Sequence, residues 1–198
     1  MKKQNEKPLL VETLLIEKGV LQNIEYHNRR MNRARLDIFF LSETIDLRDI
    51  IVHVPGGTHR CRVIYGETID RVHYLPRITP KRHSFRFVAG DLNYRYKYLD
   101  RSAINRLLEK KKSCDDIIIV RNGLVTDASS SNVAFFFEGK WVTPAAPLLE
   151  GTTRERYLRE GLITAGEVTP RLAGRCEKMA LLNAMIDFQV IDNPLFRF

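Results

Sequence analysis

Tyr96-Lys97-Tyr98-Leu99-Asp100-Arg101 opens a segment that runs on to Arg154, and the rest of the chain is arranged around it. A helical pattern follows from Arg101 to Lys112, with Ile104, Leu107 and Leu108 on one face. Ile117 to Val120 is apolar throughout, as in a central strand. Asn122-Gly123 is a strong hairpin turn. It leads through Val125-Thr126-Asp127-Ala128-Ser129-Ser130-Ser131-Asn132 into a second apolar strand, Val133 to Phe137. Trp141-Val142-Thr143-Pro144 comes next, and the segment closes on Leu148-Leu149-Glu150-Gly151-Thr152-Thr153-Arg154. A helix over 153–165 is expected after it, with Leu158, Leu162 and Ala165 facing inward.

Upstream, Leu9 to Ile16 reads as a strand, Lys18-Gly19 as a turn and Val20 to Ile24 as a returning strand. A helix is expected from near His27, with Met31, Ala34, Arg35 and Ile38 at helical spacing. Arg48 to Val54 and Arg60 to Tyr65 read as paired strands, with two more at Arg71 to Tyr74 and His83 to Val88. Residues 1 to 8 read as a frayed end. Downstream, Glu177 to Ala180 reads as a short helix and Val190 to Phe198 as a final strand or a partner contact. The sum is an α+β fold of two lobes, residues 1–90 and 91–198, with Asp91 to Tyr96 as the linker.

A hydrophobic share of 44% over 198 residues is enough for a real core. No apolar run approaches the ~20 residues a membrane helix needs. Cys61, Cys114 and Cys176 are scattered and odd in number, which favours a reducing, cytoplasmic compartment without a disulfide framework. His53, His59, His73 and His83 lack metal-site spacing, so no metal is expected. The net charge of +8 is spread out rather than gathered in a stripe. A basic cleft for an anionic substrate or a phosphate-bearing cofactor accounts for it without nucleic acid.

Three groups in the opening segment carry chemistry. Lys97 is a candidate nucleophile if neighbouring cations, Arg95 and Arg101, lower its pKa; otherwise it is one residue of a Tyr-Arg-Tyr-Lys-Tyr strand. Asp127 is a carboxylate at a strand end, or an Asx-type turn. Gly151-Thr152-Thr153-Arg154 is an anion site of backbone N–H and hydroxyl at a helix start, or a plain cap. An amine, a carboxylate and an anion cradle suit a cofactor with an aldehyde, a basic ring nitrogen and a phosphate, and pyridoxal 5'-phosphate (PLP) has all three.

The order of these motifs resembles the class IV aminotransferases, the fold-type-IV PLP enzymes. The likeness runs over roughly residues 11 to 190 and includes His27-Asn28-Arg29-Arg30-Met31, Lys97, the Val125 to Asn132 run, Gly151 to Arg154 and Leu182-Asn183-Ala184. It implies a D-amino-acid aminotransferase-like fold with PLP between the lobes and Lys97 as the Schiff-base lysine. It further implies Arg30, Thr152 and Thr153 on the phosphate, Asn183 near it, and Asp127 against the ring nitrogen. The family's usual Val-Thr-Glu-x-x-x-x-Asn here carries Asp127, one methylene shorter. Its Asp-Arg-Gly-like opening is not matched, and its Arg-Gly-rich substrate loop is replaced by Gly66 to Arg71. Lys97-x-x-Asp100-Arg101 is similar to the Lys-x-x-Asn-Arg of the 4-amino-4-deoxychorismate lyases. That branch implies release of pyruvate and 4-aminobenzoate for folate synthesis by a homodimer acting on a small amino substrate. An amino-acid aminotransferase of branched-chain or D-amino-acid type, and an inactive member with a binding role, are the alternatives.

Overall fold

A computed structural model of the chain describes residues 7–198 apart from His53. The frayed end expected over residues 1–8 therefore falls largely outside the described residues, as does the expectation for His53. The described residues gather into two compact units, one running to Ile78 and taking back Tyr96–Asp100, the other Thr79–Arg95 with Arg101–Phe198. No helix among the described residues is long and apolar enough to cross a membrane.

The first unit holds β1 (Leu10–Glu17), β2 (Val20–Leu21), α1 (Ile24–Phe39), α2 (Leu47–Ile50), β3 (Thr58–Tyr65) and β4 (Ile69–Pro76). Its sheet runs β2-β1-β3-β4 with antiparallel pairing. Alternation along β1 sends Leu10, Leu14 and Ile16 to the face that packs with Cys61, Val63 and Tyr65 of β3 and with Ile24, Met31 and Ala34 of α1. Glu12 belongs to the same alternating set, a carboxylate inside an apolar stripe. The stretch Tyr96–Asp100 is tied to this sheet by an isolated bridge, Leu10 with Tyr98.

The second unit holds β5 (Ser84–Ala89), α3 (Ser102–Leu108), a 3₁₀ turn (Glu109–Lys111), β6 (Asp116–Arg121), β7 (Leu124–Ala128), β8 (Asn132–Phe137) and β9 (Lys140–Pro144). It continues through α4 (Thr152–Arg159), β10 (Thr164–Gly166), α5 (Pro170–Ala173), β11 (Lys178–Asn183), β12 (Asp187–Asp192) and β13 (Leu195–Arg197). The order β10-β9-β8-β7-β6-β5-β13 forms one path, with β11 paired to β8 and β12. The division thus differs from a cut at residue 90. β5 runs parallel to β6 from Phe85–Asp116 to Ala89–Val120, so it is built into the second unit, while Lys97 returns to the first.

Several elements differ from expectation for identifiable reasons. Residues 47–50 form a helical turn, because the Asp46 carboxylate accepts from the Arg48 N–H at 2.9 Å and caps it. β3 accordingly pairs with β1 and β4. α1 begins at Ile24, which leaves β2 only two residues. α4 stops at Arg159; Gly161 turns with φ +69°, Leu162 is exposed, and Thr164–Gly166 joins β9 as a parallel strand. β11 is a strand rather than a helix. It lies between β8 and β12 with Met179, Ala180, Leu181 and Leu182 all buried, and burial on both faces erases the alternation that would mark a strand.

The Asn122-Gly123 turn is as expected, with φ +52° and +78° joining β6 to β7. Only glycine takes the second position without steric cost. Gly123→Val is expected to destabilise the protein by about 1–2 kcal/mol in urea unfolding, with an unchanged denaturant slope.

Candidate active site

In the first unit, α1 places His27 and Arg30 three residues apart on one face, toward β1. Arg30 donates from Nε to Glu12 Oε1 at 2.8 Å and from Nη2 to Oε2 at 2.6 Å. His27 Nδ1 lies 2.6 Å from Glu12 Oε2. Glu12 and His27 have 0% exposure and Arg30 keeps 8%. Burial alone pushes the Glu12 carboxyl up, but the Arg30 charge and the bonds from Arg30 and His27 outweigh it and hold it at about 2. Burial also pushes His27 down, so the imidazole is neutral and its Nδ1–H donates to the carboxylate. A carboxylate in this position is affordable only because both of its oxygens are met.

Lys97 enters the same unit through β1. The Val11 N–H donates to the Lys97 carbonyl at 3.1 Å, and the Leu99 N–H donates to Leu9 at 2.8 Å. Lys97 itself has φ +56°, in the left-handed region. For a long side chain that conformation is uncommon and collects at functional positions. Two predicted site residues, Arg30 and Lys97, are therefore registered on consecutive residues of one strand, Glu12 and Val11. Tyr96 and Tyr98 are partly buried against the core of this unit, so the aromatic run around Lys97 is packed rather than extended in solvent.

In the second unit, the hinge from β7 to β8 collects the others. Asp127 and Asn132 are register partners, and Asn132 Nδ2 donates to Asp127 Oδ1 at 2.6 Å. The N–H groups of Leu148 and Leu149 donate to Oδ2 at 2.8 and 3.0 Å. Asn132 Nδ2 also reaches the Leu149 carbonyl at 2.8 Å. The loop before α4 is thereby stitched to the sheet. Gly151 follows at once, and a Cβ there would lie 2.0 Å from Asn132 Oδ1, so this approach requires glycine. Thr152 and Thr153 start α4 directly after its N-cap residue Gly151, and both are buried. Arg154 donates to Thr143 Oγ1 at 3.2 Å and to the Pro144 carbonyl at 2.8 Å, a buried cation near Asp127.

Asn183 faces the same hinge. Its Nδ2 donates to Ser131 Oγ at 2.7 Å and its Oδ1 accepts from the Met185 N–H at 2.8 Å, which locks the turn after β11. Arg101 donates to the Ser129 carbonyl at 2.7 Å. A cavity of about 380 Å³ adjoins the stitched loop, lined among others by Tyr94, Arg95, Arg121, Leu148 and Glu150. Asp127, Thr152, Thr153 and Asn183 thus converge on one hinge, and Arg30 and Lys97 on one strand. Glu12 and Asn132 were not among the expected site residues. The signal for Glu12 was a lone carboxylate in Leu10-x-Glu12-x-Leu14-x-Ile16, since a buried charge needs a cation.

The donor set fits PLP in kind. Arg30 keeps some surface and has its guanidinium plane fixed, as a phosphate ligand needs. Thr152 and Thr153 bring hydroxyls and N–H groups to a helix start. Asp127 Oδ1 accepts one bond from Asn132, and a carboxylate oxygen has room for a second.

Burial raises the Asp127 carboxyl most, and the bonds from Asn132, Leu149 and Leu148 and the Arg154 charge pull it partly back, leaving it at about 6. A raised acid favours the folded state when protonated. Its contribution is full below the unfolded value near 4 and is lost as pH rises through about 6. Asp127→Asn should flatten a fall in stability of roughly 3 kcal/mol between pH 4 and 7. Urea midpoints across that range, compared with the unsubstituted protein, measure it.

The sequence profile of the amino-transferase class IV family matches residues 9–193. An uncharacterized protein of Haemophilus influenzae is 34% identical over 182 residues, 89% of this chain and 97% of its own length. The crystal structure of a candidate 4-amino-4-deoxychorismate lyase from Haemophilus somnus superposes with a TM-score of 0.82 at 35% identity, covering 92% of this chain and 98% of that one. A candidate branched-chain amino acid aminotransferase of Thermotoga maritima shares the fold at TM-score 0.77 and 19% identity, over 96% of this chain and 77% of that one. A Mycobacterium tuberculosis aminotransferase fold in its PLP-bound form superposes at TM-score 0.75 and 17% identity, over 98% and 84%. The profile match and the relatives above 30% identity place the chain: it belongs to the class IV aminotransferases, the PLP-dependent enzymes of fold type IV.

Proposed function

We propose that this class IV enzyme is a 4-amino-4-deoxychorismate lyase, releasing pyruvate and forming 4-aminobenzoate. The observation that carries the proposal is the likeness to the Haemophilus somnus candidate lyase over nearly the whole of both chains. Lys97-x-x-Asp100-Arg101, close to the lyase Lys-x-x-Asn-Arg, supports it. The working form is a cytoplasmic homodimer.

The assigned roles follow from the chemistry of each side chain. Lys97 would hold PLP through its amine, and the same amine would serve as the base for the substrate Cα proton. The strained backbone at Lys97 and its carbonyl bond to Val11 fix where that amine starts. Arg30, Thr152 and Thr153 bind the phosphate, and Asn183 holds the neighbouring turn. Asp127 would face the ring nitrogen of bound PLP and, above its pKa of about 6, would present a negative charge to it. Bound PLP supplies an electron sink for the charge left at Cα. Loss of the β-substituent would give the lyase outcome, and return of the proton elsewhere would give amino transfer.

Purified protein with PLP is expected to convert 4-amino-4-deoxychorismate to equimolar pyruvate and 4-aminobenzoate. Lys97→Ala should lower that rate by at least about 10²-fold, the usual scale for a removed proton-transfer group. Turnover of an amino donor and a keto acid without pyruvate release would replace the lyase assignment with the aminotransferase one.

A further inference from the structure

We infer that Glu12 is a positioning residue for the cofactor phosphate: it holds Arg30 by two parallel hydrogen bonds, in register with Lys97 on the same strand. The inference rests on the reading of Arg30 as the phosphate ligand. Glu12 is wholly buried and touches nothing outside the protein, whereas Arg30 keeps a small accessible surface. Glu12 therefore acts through Arg30 and not on a ligand.

The geometry says what it does. A free guanidinium on a long stem samples many rotamers, and ordering it on binding costs affinity. Here Nε and Nη2 are both engaged by one carboxylate, at 2.8 and 2.6 Å, which fixes the plane of the group before any ligand arrives. His27 donates to Oε2 and fixes the carboxylate in turn. The strand sets the spacing. Glu12 grips Arg30, while its neighbour Val11 grips the Lys97 carbonyl. A phosphate anchor and an amine anchor are thus set by adjacent backbone positions of β1. An ordinary core position would be apolar, as Leu10, Leu14 and Ile16 are on the same face.

Glu12→Asp tests this, because it keeps the charge and removes the reach for the two-point contact. The readout is the dissociation constant of PLP and of pyridoxal, which lacks the phosphate, followed by absorbance on the full-length protein. The unsubstituted chain should prefer PLP. Glu12→Asp should weaken PLP about tenfold or more, the scale of one charged hydrogen bond, and leave pyridoxal within about twofold. Equal losses for both, or no loss for either, would overturn the inference by reducing Glu12 to a structural ion pair or to nothing. Should Glu12→Asp fail to fold, His27→Leu removes the Nδ1 donor without altering charge. It should show the same selective loss at about threefold, and an unchanged PLP preference there overturns the inference equally. Equal affinity for PLP and pyridoxal in the unsubstituted chain would instead refute Arg30 as the phosphate ligand, and the inference with it.

Discussion

A carboxylate with no access to water must be answered by the protein itself, and in the first unit that requirement falls on Glu12. The answer comes from α1. Arg30 and His27 reach it from one helix face, and the demand for both at once ties α1 to β1. Other side chains of the same helix add polar ties, Asn28 to Asp46 and Leu47, Asn32 to Ile45, and Arg35 to the Glu43 and Glu67 carbonyls. Removing either partner of a buried ion pair costs about 3–5 kcal/mol, which is a large part of what a domain has to spare. The same strand takes the Lys97 carbonyl. A stability constraint and the placement of the two proposed cofactor-binding groups, Arg30 and Lys97, are therefore one feature.

The second unit repeats the logic with a different device. Asp127 is also buried, but its partners are neutral: one amide and two backbone N–H groups. Those donors and the Arg154 charge offset burial less completely than the bonded Arg30 and His27 do at Glu12, so Asp127 stays near 6 while Glu12 sits near 2. Glu12 is committed to its cation at every working pH. Asp127, in the role proposed for it, remains responsive to a positive ring nitrogen. Its three bonds also stitch the loop that delivers Gly151, Thr152 and Thr153, so the shorter side chain at this position is tied to loop geometry.

Much of this was legible in the residues. Asp127 and the Gly-Thr-Thr turn stand at the ends of elements whose patterns are plain, after the apolar run at Ile117 and the Asn122-Gly123 turn, while Lys97 lies between β5 and α3. Arg30 was legible only through the family motif, because a helix-surface arginine has no local signature. What stayed hidden was long-range. Glu12 is separated from Arg30 by 18 positions, and nothing local announces the pairing. The strand at Lys178–Asn183 was masked by burial on both faces. The turn at Leu47–Ile50 depended on a single cap, and the end of α4 on one positive-φ glycine. The return of Tyr96–Asp100 to the first unit is a topological fact that a linear boundary cannot express.

Everything proposed for catalysis depends on Lys97 being the amine that carries PLP. The direct measurement is borohydride reduction of the PLP-treated protein followed by peptide mass mapping. A single phosphopyridoxyl group on the peptide containing Lys97, near one per chain, is the predicted result. A label spread over exposed lysines such as Lys110 and Lys112, or fixed at another lysine, would contradict the assignment.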